Sequence, residues 1–303
     1  MAVTRRILVI KLAALGDFVQ AFGPFAAIRR HHPDAEITLL TTRPFAPLAA
    51  DSPWFDRVWS DGRPPWWDLA GVLRLARRLR AARFDRVYDL QTSGRSSRYR
   101  CFVGSGVEWS GIARGASHPD LDPRRNQLHT AERQRGQLMA AGITDFPESD
   151  TVWLDSDVSG LGLPRDFTLL LPGASPTRPG KRWPAARFGE LAARLGGPTV
   201  VCGIASEGPL AQEIRRHAPD AIDLTGRTNL RQLAAVARLA RRAVGNDSGP
   251  THLAATVGCP TVALFGDESD PALCAPRGRS VTILRRKPLA ELPVDEVLQA
   301  SGG

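Results

Sequence analysis

Short apolar runs recur along the chain and alternate with stretches of helical periodicity. Arg6–Lys11 (RILVIK) and Glu36–Thr41 (EITLLT) predict buried strands, with a short strand at Arg57–Trp59 and another at Arg86–Leu90 (RVYDL). A helix is expected from about Phe18 to His31. A second, Gly71–Ala82, sets Val72, Leu75, Leu79 and Ala82 on one face with arginines opposite. The rhythm restarts later, with strands at Thr168–Leu171, Thr199–Cys202, Arg242–Gly245 and Thr261–Phe265. The helices between them are expected at Ala185–Leu195, Leu210–His217, Leu230–Arg238 and Thr251–Val257. Repeated strand–helix order predicts parallel sheets covered by helices on both faces. Residues Pro147–Pro164, rich in Asp, Ser, Gly and Pro, mark a linker. The expected architecture is therefore α/β, with two doubly wound domains, residues 1–155 and 156–303, facing a central cleft. The last helix is expected to return to the first domain.

Composition narrows the class. Hydrophobic residues make up 43% and charged residues 23% of 303, which excludes a disordered chain. Gly and Pro, 28 and 24, follow no collagen period. The longest apolar stretch, near Leu12–Ile28, is interrupted by Gly16, Asp17, Gln20, Gly23 and Pro24, so no spanning helix is expected. Arg5 and Arg6 precede an apolar run that is short and contains Lys11, which suits a strand better than a signal peptide. Cys101, Cys202, Cys259 and Cys274 show no C-x-x-C spacing, so neither a zinc site nor a disulfide framework is expected, and a reducing cytoplasm is.

Charge adds a partner question. Forty basic residues against 31 acidic leave +9, and only Lys11, Lys181 and Lys287 are lysines. A solvated basic surface, an anionic substrate or membrane, and nucleic acid are all compatible with that excess. No stacking motif or zinc finger accompanies it, so nucleic acid is not expected.

In doubly wound sheets ligands meet the carboxyl ends of strands, so the segments just after each strand carry the chemistry. Ala13–Phe18 (AALGDF) follows the first strand and offers Gly16 for a turn and Asp17 at a helix start, as a cap or as a base. It is not a G-x-G-x-x-G fingerprint. Val244–Ala254 (VGNDSGPTHLA) runs from a strand through small polar residues into a helix. There backbone N–H groups, the helix dipole and His252 suit a phosphate. Pro172–Trp183 adds Ser175, Arg178 and Lys181, a compact cation in a chain that otherwise uses Arg. Glu207 follows another strand and could accept ribose hydroxyls or simply start a helix.

Together these segments resemble glycosyltransferase family 9, the family of the bacterial ADP-heptose:lipopolysaccharide heptosyltransferases. The most specific part is Val244–Phe265 (VGNDSGPTHLAATVGCPTVALF), supported by Ile7–Arg29 and Pro172–Trp183 in family order and spacing. The resemblance implies a GT-B fold of two Rossmann-like domains, the first for the acceptor and the second for the nucleotide sugar, and inverting transfer. It implies that Asp17 is the catalytic base and that Lys181 acts on the donor phosphates. Ser175, Glu207, Asn246, Asp247, Ser248, Gly249, Thr251 and His252 would line the donor site. No cofactor or metal is implied beyond the nucleotide-diphosphate sugar itself. Gly266–Pro271 (GDESDP) departs from the common Gly-Pro-Thr-Asp-Pro and is more acidic. Arg95, Arg98, Arg100, Arg124 and Arg125 suit an anionic glycolipid or glycan acceptor. Two other readings are a nucleotide-sugar binder without activity and a nucleotide-sugar epimerase. For a lipid-linked acceptor, work at the inner face of the cytoplasmic membrane is expected, with Arg74, Arg77, Arg78 and Arg80, and Arg83 and Arg86 beyond them, facing anionic lipid.

Overall fold

In the computed structural model, which describes residues 4–148 and 150–302, residues up to Trp153 form one compact unit and those from Leu154 a second. The division falls inside the stretch 147–164; Ser149, and the expected domain ends at residues 1 and 303, lie outside the described residues. The first unit holds β1 (Arg6–Ile10), β2 (Glu36–Leu40), β3 (Arg57–Trp59), β4 (Arg86–Asp89), β5 (Glu108–Gly111) and β6 (His118–Pro119). They form one parallel sheet in the order β3-β2-β1-β4-β5-β6. The second holds β7 (Thr168–Leu171), β8 (Thr199–Val201), β9 (Ile222–Asp223), β10 (Arg242–Asn246), β11 (Thr261–Phe265) and β12 (Val281–Arg285), ordered β12-β11-β10-β7-β8-β9. The two orders are the same topology, 3-2-1-4-5-6, without a detectable sequence repeat. Each sheet reverses direction of growth between its first and fourth strands, which opens a crevice there.

The apolar runs became the central strands because both their faces are covered. Ile7, Leu8, Val9 and Ile10 are wholly buried. One layer on the first sheet gathers Leu75, Leu79, Tyr99 and Trp109. Phe18, Phe22, Phe25 and Trp54 form an aromatic cluster linked by ring contacts. In the second unit Trp183, Phe188, Leu191 and Ile214 fill the core.

Several elements differ from expectation. The helix expected from Phe18 to His31 is two helices, Leu15–Val19 and Phe22–His31. Pro24 has no N–H for the carbonyl four residues back, so the chain restarts and Pro24 sits in a first turn. The helix Thr130–Ala140 escaped the periodicity because its buried residues include Thr130, Gln134 and Gln137. β6 and β9 have two residues each, too few to show a period. β12 lies at a sheet edge and is half-exposed. The closing helix is Val294–Ala300. Val294 and Val297 join the core of the second unit beside Trp183 and Phe188.

Candidate active site

The crevice of the first sheet opens between the ends of β1 and β4, and charged residues meet there. Lys11, immediately after β1, is buried, and its Nζ donates to the Leu90 carbonyl at 3.1 Å. Burial lowers its pKa to about 8; Arg133 pushes the same way, while Asp17 and Asp89 oppose. Asp89, which ends β4, is pushed up to about 7 by burial, against hydrogen bonds from Ser96, Thr92 and Gln91 and the charge of Lys11. Gln91 Oε1 accepts from the N–H groups of Leu12 (2.8 Å) and Ala13 (3.1 Å), tying the β1 loop to the β4 loop.

That tie positions Asp17. Its Oδ2 accepts from the Ala14 N–H at 3.2 Å, as a helix-starting carboxylate does. The residue is half-buried and lines a polar pocket with Lys11, Gln91, Arg125, Arg133 and Gln134. Arg125 Nε donates to Asp120 Oδ2 at 2.7 Å, while its Nη2 and the Oε1 of Gln134 are buried without a hydrogen-bond partner among the described residues. A carboxylate is thus set in one pocket with the cations Lys11, Arg125 and Arg133. Lys11, Asp89 and Arg133 were missed from sequence. Only the rarity of lysine pointed to Lys11, and Arg133 lay on the helix whose inward face is polar.

The other arginines expected for an acceptor have local uses. Arg95 lies over Trp66 at 4.3 Å and donates to the Pro64 carbonyl at 2.7 Å, and Arg98 lies over the same ring at 5.5 Å. Arg100 donates to the Gly115 carbonyl, and Arg124 is an exposed partner of Asp122 at 3.7 Å. Of the five, Arg125 alone lines the pocket with Asp17.

The second sheet builds a comparable crevice between the ends of β7 and β10. Asn246 closes β10 and is wholly buried. Its Nδ2 donates to the Pro172 carbonyl at 2.7 Å and its Oδ1 accepts from the Trp183 N–H at 3.0 Å. Thr251, equally buried, donates to the Asn246 carbonyl at 2.7 Å. These two residues, expected to meet a donor, instead hold the loops in place. The amide of Asn246 spans both ends of Pro172–Trp183 and so presents Lys181.

Lys181 Nζ stands 2.5 Å from Asp247 Oδ2, which also accepts from Ser269 Oγ at 2.6 Å. His252 Nε2 lies 3.5 Å from Asp247 Oδ1. Burial opposes ionisation of Asp247, yet hydrogen bonds from His252, Lys181 and Ser269 and the charge of Lys181 lower its pKa to about 2. Ser248 precedes the helix Gly249–Thr256, whose first N–H groups and dipole face the same end of the sheet. Lys181 and His252 therefore meet at this helix start on Asp247, whose carboxylate fixes the two side chains.

Glu207 ends a 3₁₀ turn after β8, and its Oε2 accepts from the Ile204 N–H at 2.9 Å. A Cβ on Gly173 would lie 2.1 Å from Glu207 Oε1, so the glycine admits the carboxylate beside the β7 loop. Ser175 is exposed and bonded to Thr177 at 2.9 Å. The unusual acidity of 266–271 has local uses: Glu268 Oε1 accepts from the Gly180 N–H at 3.0 Å, and Asp270 caps the helix Pro271–Cys274. Ser269 and Glu268, which steady Asp247 and the Lys181 loop, were not foreseen. Among the described residues, no group of three or more His, Cys, Asp or Glu side chains is set to hold a metal ion.

The lipooligosaccharide heptosyltransferase 2 of Haemophilus influenzae is 35% identical over 122 residues, 38% of this chain and 35% of that one. The lipopolysaccharide heptosyltransferase 1 of Pseudomonas aeruginosa is 27% identical over 310 residues, covering 91% of this chain and 82% of its own. The glycosyl transferase family 9 crystal structure from Veillonella parvula superposes with a TM-score of 0.81 at 22% identity, over 98% of this chain and 96% of that one, which establishes the GT-B fold. The model of glycosyltransferase family 9 (heptosyltransferase) matches residues 72–297, well over half of the sequence, and the chain belongs to that family.

Proposed function

We propose that this glycosyltransferase moves a heptose from ADP-heptose to an acidic acceptor of the lipopolysaccharide-core type, with inversion at the anomeric carbon. The observation that carries the reading is the Lys181–Asp247–His252 cluster at the start of the helix Gly249–Thr256, a ready site for a diphosphate leaving group. The donor's nucleotide would extend toward Glu207, whose carboxylate suits ribose hydroxyls, with Ser175, Ser248 and Gly249 at the phosphates.

In the transfer, the acceptor hydroxyl gives its proton to Asp17 as its oxygen bonds to the anomeric carbon. The carbon–oxygen bond to the diphosphate breaks on the opposite face, and ADP departs with the electron pair. Lys181, His252 and the helix dipole take up the charge that develops on the leaving oxygen. Lys11, Arg125 and Arg133 around Asp17 suit an acceptor bearing carboxylate or phosphate groups.

Two measurements test this. Sugar transfer from ADP-heptose to a heptose-deficient lipopolysaccharide acceptor should occur with one inverted product. ADP formation should depend on that acceptor. A nucleotide-sugar binder would bind ADP-heptose without turnover, and an epimerase would convert it with no acceptor present. Either result overturns the proposal.

A further inference from the structure

The start of the helix Leu69–Ala81 leaves apolar side chains in the open. Trp67 is 86% exposed, Leu69 69% and Leu73 53%. Single exposed leucines are ordinary, but a tryptophan and two leucines within seven consecutive residues form a patch that calls for a partner. The exposure does not come from a loose loop. Trp66, the neighbouring residue, is packed beneath Arg95 and Arg98, and Asp68 caps the helix by accepting from the Gly71 N–H at 2.9 Å. One tryptophan is anchored inward, and its neighbour is therefore held outward.

The charge around the patch is ordered by distance from its tip. Leu69, Leu73, Arg77 and Arg80 follow one another along a single stripe of the helix, and Arg74 borders it. Arg74, Arg77 and Arg80 are exposed and have no carboxylate partner among the described residues. Arg78, expected to share this face, is engaged elsewhere: it pairs with Asp61 at 3.1 Å and lies over Trp59 at 3.8 Å. Arg86 is buried against Glu108.

We propose that Trp67, Leu69 and Leu73 form a wedge that enters an anionic bilayer, with Arg74, Arg77 and Arg80 on the lipid phosphates. Apolar residues at the tip and unpaired cations one to three turns behind reproduce the depth order of acyl chain and headgroup. The surface also leads to the candidate base. Gly71 and Arg74 wall a cavity of about 590 Å³ whose lining includes Ala13, in the loop that carries Asp17, and Arg43 and Arg63. The wedge stands on its own geometry and does not require the transfer reading.

The test is flotation of the full chain with vesicles of phosphatidylcholine alone and of phosphatidylcholine mixed with phosphatidylglycerol. Binding should favour the mixed vesicles and weaken with salt. Trp67→Ser with Leu69→Ser and Leu73→Ser should lower it by roughly tenfold or more, and Arg74→Gln with Arg77→Gln and Arg80→Gln should remove its salt-sensitive part. All these side chains are exposed, so thermal midpoints should be unchanged. Brominated lipid should quench part of the tryptophan emission of the wild type, and that part should be missing in Trp67→Phe. No binding at low salt, or binding indifferent to the wedge substitutions, would overturn the proposal. So would a dimer in sedimentation that those substitutions dissolve, since a second copy would then cover the patch.

Discussion

Asp17 and Asp247 are both carboxylates beside cations at the end of a strand, and their surroundings give them opposite tasks. Asp17 is half-buried, and the one hydrogen bond given to it among the described residues, from the Ala14 N–H, falls on a single oxygen, which suits the proposed base. Asp17→Asn preserves size and the contact to Ala14, and should lower turnover about 10²–10⁴-fold while leaving ADP affinity intact. Turnover near wild type in that variant would remove Asp17 from the mechanism. Asp247 is saturated by Lys181, Ser269 and His252, and holds them in place. Its pKa is lowered from 3.8 to about 2, so the folded state favours its ionised form. The resulting stability is fully present above about pH 4 and is lost as pH falls through about 2. Asp247→Asn should therefore cost about 2 kcal/mol at neutral pH. Denaturant melts should show the gap from wild type closing between about pH 4 and pH 2, and a gap independent of pH would contradict the assignment.

At the level of elements, the proposed donor site depends on close approach between loops. A Cβ on Gly266 would lie 2.2 Å from the Gly180 carbonyl, a backbone atom of the turn that carries Lys181. Gly266→Ala must displace that turn, and both the thermal midpoint and ADP affinity should fall. Gly173→Ala is the informative contrast. Its Cβ would collide with the end of a flexible side chain, Glu207, which can swing away. Stability should change little while affinity for ADP weakens and affinity for inorganic diphosphate does not. Equal losses for both ligands would show that Glu207 does not face the nucleoside. The helix Thr130–Ala140 makes a related point. It turns glutamines inward because it covers the polar crevice rather than the core: Gln137 Nε2 donates to the Asp89 carbonyl at 3.0 Å.

At the level of the molecule, the two units repeat one topology, and on the proposed reading they divide the chemistry, base on the first and phosphate cluster on the second. ADP should then stabilise through the second unit. At 100 times its Kd a ligand adds about 2.7 kcal/mol. Hydrogen exchange should show ADP protecting residues 172–184 and 246–271 and leaving residues 11–17 and 89–92 unchanged. Protection centred on the first unit would reverse the assignment of donor and acceptor sides.

The linear order of residues was enough for the central strands, because a strand covered on both faces reads as a near-continuous apolar run, as in Ile7–Ile10 and Val262–Phe265. It was enough, too, to place Asp17, Lys181 and His252 in segments that follow strands, since the switch from an apolar run to small and polar residues marks the carboxyl end of a strand. It could not show that Asn246 and Thr251 are scaffold, because a buried amide and a ligand-binding amide have the same letter. Nor could it show Lys11, Asp89 and Arg133 around Asp17. These residues are brought together by strand order, β1 beside β4, and by a helix whose inner face is polar, so no period in the chain records the meeting. The arginines of Leu69–Ala81 looked alike in sequence. Packing alone separated Arg78, paired with Asp61 and laid over Trp59, from Arg74, Arg77 and Arg80, because an ion pair depends on neighbours outside the helix.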